Sequence, residues 1–71
     1  MSKTDAVDYL IRAIGDNSKG SNAQLAAVEA LGEAGGDQAI DHLITFASDV
    51  ARGSNAHMAV IKALGRAARN A

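Results

Sequence analysis

Seventy-one residues with a formal charge of −1 leave room for one small domain and give no overall attraction to nucleic acid or to an anionic lipid surface. The chain has no cysteine, which excludes disulfides and thiolate metal sites, and no apolar run near the roughly 20 residues of a membrane span. With no proline, few aromatics (Tyr9 and Phe46) and abundant alanine, the composition suits closely packed helices rather than strands.

Thr4 is placed to cap a first helix over about 5–15, in which Val7, Leu10, Ile11 and Ile14 recur at helical spacing. Gly15 offers a left-handed residue to end it. The polar segment DNSKGSN reads as a loop. Ser21 or Asn22 then caps a second helix with Leu25, Val28 and Leu31 inward, and Gly35-Gly36 breaks the chain. Asp37 caps a third helix, with core positions Ile40, Leu43, Ile44 and Ala47. A second loop, ARGSN, leads to Ser54 or Asn55 as the cap of a fourth helix, in which Met58, Ile61 and Leu64 are expected to face inward. Ala68-Arg69 stands where the glycine pair stood, so this helix is expected to run almost to the C-terminus.

The chain says nearly the same thing twice. Residues 6–34 align with residues 39–67 at an offset of 33 without a gap, and 14 of the 29 positions are identical. A tandem repeat of this length implies stacked helical hairpins that share a core. The expected fold is all-α: one domain over 1–71, built of repeat one (4–36) and repeat two (37–71). Ala13 and Ile14 become Phe46 and Ala47, which keeps one large and one small residue at adjacent positions.

The stretch NAQLAAVEALGEAGGDQAIDHL carries Ala30-Leu31-Gly32 near the end of one helix, a Gly36-Asp37 turn, and Ala39-Ile40 at the start of the next. In this pattern it resembles the short HEAT-like repeat of the phycobilisome-lyase type. Gln24 and His57 stand where such repeats usually carry an arginine. The resemblance implies an interaction scaffold and, in one branch, a small lyase- or chaperone-like subunit acting on a tetrapyrrole-bearing protein. In such a stack Gly32 lies where the next repeat crosses, and the missing side chain lets two backbones approach. Gly65 repeats that position, with the small residues Ala63, Ala67 and Ala68 around it.

Charge separates the repeats. Residues 1–36 carry net −2 and residues 37–71 net +1, because Glu29 becomes Lys62 and Glu33 becomes Arg66, with Arg69 extending the basic row. Stacking would set Glu29 beside Lys62 and Glu33 beside Arg66. Glu29, Glu33, Lys62, Gly65, Arg66, Ala68 and Arg69 are therefore the candidate partner-binding residues.

No catalytic, cofactor-binding or metal-ligating constellation emerges. His42 aligns with Tyr9 and His57 with Gln24, so neither imidazole recurs as a ligand and both read as surface positions. Asp8 recurs as Asp41 and Asp16 as Asp49, on solvated helix faces. The GSN segments read as helix caps rather than anion sites. A basic stripe of Lys62, Arg66 and Arg69 allows a weak grip on a nucleic-acid backbone, but the net charge and the lack of stacking aromatics disfavour it. The expectation is a cytoplasmic, non-catalytic protein-interaction module that self-associates or docks on a larger protein. A homodimer is favoured, since such stacks normally need about three repeats for stability.

Overall fold

A computed structural model describes residues 2–70. Helices α1 (Lys3–Asp16), α2 (Asn22–Ala34), α3 (Asp37–Asp49) and α4 (Asn55–Arg69) follow one another, with no strand among the described residues. Each repeat is a helical hairpin. α1 and α3 form one layer and α2 and α4 the other, and α2 packs most extensively on α4. The shortest dimension, 16 Å, matches two helix layers about 10 Å apart. The all-α stack expected from the repeat is the architecture observed.

The core is Val7 from α1, Val28 and Leu31 from α2, Leu43 and Phe46 from α3, and Val60 from α4, filled in by alanines. Small residues let the α2 and α4 backbones come close. A Cβ added at Gly32 would lie 2.8 Å from the Cα, Cβ and O of Ala63, closer than packed atoms tolerate. At Gly35, where φ is +68°, it would lie 2.6 Å from the carbonyl oxygen of Asn70. The Asn70 side chain also donates to the Glu33 carbonyl at 3.2 Å. The end of α4 is thus tied down over the end of α2, and α4 continues where α2 stops because Ala68-Arg69 replace the positive-φ glycines Gly35-Gly36.

Five details of the elements differ from expectation. Ser2, not Thr4, caps α1: its hydroxyl accepts from the Asp5 amide at 3.1 Å and the Asp5 carboxylate accepts from the Ser2 amide at 3.3 Å, a reciprocal capping box that Thr4 cannot form. Gly15 is helical and not left-handed; α1 ends one residue later, and the Asn17 side chain donates from Nδ2 to the Ala13 carbonyl at 2.7 Å. Asp37 is the first helical residue of α3 rather than its cap. Gly36 (φ +89°) holds the cap position, and the carboxylate lies in the first turn, where the helix dipole favours it. The fourth correction concerns α4: its buried residues are Ala56, Val60, Ala63 and Ala67, while Met58 and Ile61 are about half exposed and Leu64 is half-buried. Ile44 on α3 is exposed as well.

The loops from α1 to α2 and from α3 to α4 close in the same way. Ser21 and Ser54 cap α2 and α4 by accepting from the amides of Gln24 and His57. These two residues in turn accept from the left-handed glycine four residues earlier: Gly20 N–H to Gln24 Oε1 at 2.7 Å, and Gly53 N–H to His57 Nδ1 at 2.9 Å. Gln24 is buried and also donates from Nε2 to the Ile14 carbonyl at 2.8 Å, so one side chain ties the loop to the end of α1. Both positions have a structural role that amide and imidazole can share. Gln24→Ala removes the side-chain partner of the Gly20 N–H and of the Ile14 carbonyl, both only partly shielded from water, and is expected to cost about 1–2 kcal/mol. His57→Gln keeps an acceptor in place and should stay within about 0.5 kcal/mol of wild type. Urea denaturation of the two variants checks the contrast.

Candidate interaction site

The tandem repeat supplies its own control. Two residues 33 apart have the same local structure, so a difference in their burial reports what the neighbouring repeat covers. On α2, Val28 and Leu31 are fully buried and Gly32 and Gly35 are buried. Their equivalents on α4 are Ile61, 54% exposed, Leu64, half-buried, and Gly65 and Ala68, both exposed. On the first helices, half-buried Ile11 becomes Ile44, 52% exposed. Repeat two therefore presents the face with which repeat one packs on its neighbour, and nothing in the described chain lies on it. A Cβ added at Gly65 meets no atom within 4 Å.

The opposite end shows the reverse pattern. Ala6 and Ala23 are exposed, while their equivalents Ala39 and Ala56 are buried. Leu10 and Ala30 are half-buried, while Leu43 and Ala63 are buried. The stack has two open ends of different shape, one with projecting isoleucines and one of small residues.

The charge rows run along one edge of these faces. Glu33 and Arg66 form an ion pair at 2.6 Å, as their alignment implied, with both side chains about half exposed. Glu29 and Lys62 do not come within bridging distance; they flank a shallow groove with Leu25 and Met58. Exposed pairs of this kind contribute about 0–1 kcal/mol. Arg66 and Arg69 also lie in the last turn of α4, where positive charge suits the helix dipole. All seven predicted partner-binding residues are exposed: Gly65 and Ala68 on the open face, Lys62, Arg66 and Arg69 beside it, and Glu29 and Glu33 on α2. The sequence reading missed Ile44 and Ile61, taking both as core. A comparison of the two apolar patterns could not have found them, since the residues are apolar in both repeats.

A second concavity opens between α1 and α3, lined by Ile11, Ile14 and Phe46 with His42, Thr45 and Asp49 at its rim. Among the described residues no three His, Asp or Glu side chains are grouped to hold a metal ion, and no helix is long and apolar enough to cross a membrane.

Residues 23–49, comprising most of α2, the glycine turn and all of α3, match the family model described as PBS lyase HEAT-like repeat. That segment is similar to a single HEAT-like repeat, which is consistent with the stacked hairpins of the fold. Comparison with curated proteins and with solved structures gives no significant match. HEAT-like repeats form helical repeat modules that are generally used for protein interaction, and the matched segment contains the glycine turn and the close-packing Gly32 on which the stacking described above depends.

The two equivalent glycines should respond oppositely to the same substitution. Gly32→Ala drives α2 and α4 apart and is expected to destabilise the fold by about 1–3 kcal/mol, beyond the gain in helix propensity. Gly65→Ala meets open space and should stabilise it by up to about 1 kcal/mol. Thermal and urea unfolding at low protein concentration measure both.

Proposed function

We propose that the chain is a non-catalytic protein-interaction module whose contact surface is the open face of repeat two, centred on Ile61 and Gly65. The observation that carries this reading is the exposure of Ile61 at 54% where its equivalent Val28 is fully buried. Covering the half of this side chain that is still exposed is worth about 1–1.5 kcal/mol. The surrounding residues suit a helix as the covering element: Gly65 and Ala68 leave room for a backbone to approach, and Ile44 and Leu64 provide apolar contact at the side. The neighbouring Lys62, Arg66 and Arg69 favour a partner with carboxylates at the edge of its contact surface. The typical non-catalytic, scaffold role of HEAT-like repeats points the same way.

Ile61→Arg tests this role, because the side chain is exposed and its replacement leaves the core intact. The variant should keep the wild-type circular dichroism spectrum and melting temperature. Immobilised on beads, it should retain at least about tenfold less of any protein that the wild type holds, the loss expected when a central contact is replaced by a charge. Equal retention by both would remove the open face as the contact surface.

A further inference from the structure

The interaction role proposed above leaves the occupant of the open face unnamed, and the following assignment rests on that role. We propose that the occupant is a second copy of this chain, stacked head to tail, so that its repeat one sits on repeat two of the first copy as repeat two sits on repeat one within a chain. The geometry of the inner junction supplies the contacts to be reproduced. Within a chain Gly32 receives Ala63; between chains Gly65 would receive Ala30 of the second copy. The small-on-small approach survives the shift. The exposed Ile44 and Ile61 of one copy meet the end at which Ala6 and Ala23 are exposed and Ala30 is half-buried on the next.

Charge selects this partner and this direction. Within the chain Glu33 pairs with Arg66. Shifted by one repeat, Arg66 and Lys62 of the first copy lie beside Glu33 and Glu29 of the second, so opposite rows meet at every junction. A two-fold pairing of the two open faces of repeat two would instead set Lys62 and Arg66 against their own copies, a like-charge arrangement that costs affinity. One contact is unfavourable in the head-to-tail register: Gln38 donates to Asp8 within the chain at 3.0 Å, but the equivalents are Asp5 of the second copy and Asp41 of the first. That mismatch makes the register testable, because Asp5→Gln restores the inner pair and glutamine still serves at the third position of the capping box.

The experiment is light scattering and sedimentation of the full 71-residue chain from about 10 µM to about 1 mM, at low and at high salt, since mass action and screening both act on such a contact. The expected result is reversible growth past the dimer, weakened several-fold by salt. Ile61→Arg blocks one end and Ala6→Arg the other. Each alone should stop growth at the monomer, and an equimolar mixture should form one-to-one heterodimers through the two ends left open. Asp5→Gln should tighten assembly about two- to fivefold. A dimer that Ile61→Arg abolishes and Ala6→Arg spares is two-fold symmetric and overturns the head-to-tail register. An Asp5→Gln chain that assembles no better overturns it as well. A wild-type monomer across the whole range overturns the second copy as occupant; the interaction role is judged separately, by whether Ile61→Arg loses retained proteins in the bead assay.

Discussion

The stack depends on how closely α2 and α4 approach at Gly32 and Ala63. With no Cβ at Gly32, the second helices of the two repeats meet almost backbone to backbone. The first helices touch far less, and Phe46 fills the wider space between α1 and α3. The layer of second helices is therefore tight and the layer of first helices splayed, which leaves the groove lined by Ile11, Ile14 and Phe46. The same approach brings Asn70 over Gly35 and Arg66 within reach of Glu33. The ion pair follows from the backbone contact and does not cause it, because an exposed pair contributes at most about 1 kcal/mol.

The repeat made the fold legible, and it also produced the main misreading. Stacked hairpins, the glycine turn and the serine caps could be read directly because each rests on a local rule: periodicity, positive φ, or a hydroxyl before a helix. The inward face of α4 could not. In a stacked repeat each inner helix has two apolar faces, one for the repeat before it and one for the repeat after. α4 retains the apolar residues Met58, Ile61 and Leu64 that correspond to Leu25, Val28 and Leu31, but in this chain it is buried through the other face, at Ala56, Val60, Ala63 and Ala67. Periodicity detects large apolar residues and is blind to a stripe of alanines packed at short distance. The Gln24 and His57 loop bonds were hidden for a different reason: what recurs is a hydrogen-bond acceptor four residues after a left-handed glycine, and no alignment of amide with imidazole reveals it.

The candidate site was half legible. The charged rows and Gly65 were visible as differences, or as a glycine without an explanation. The isoleucines beside them were invisible, because apolar residues in both repeats read alike. Structure separates them through burial: a residue and its equivalent share sequence context and helix geometry, so the change from a fully buried Val28 to a largely exposed Ile61 reflects only the presence or absence of a neighbour. Exposed apolar residues scattered singly need no explanation. Here they fall on one face, beside a helical glycine with open space around it.

That face is also graded in strength. The inner junction is filled by Phe46 and Ile14; at the corresponding place between two copies stand Ala13 and Ala47. Smaller residues leave contacts unmade, and Asp5 against Asp41 adds repulsion where the inner junction has a hydrogen bond. A contact through the proposed outer junction would consequently be weaker than the covalently assisted inner one. A heterologous contact of this kind does not close on itself, and an equally strong one would drive every copy into filaments. In the proposed assembly, underfilling and the one repulsive pair would keep the contact reversible, so that concentration and salt, rather than refolding, would set how far the stack extends.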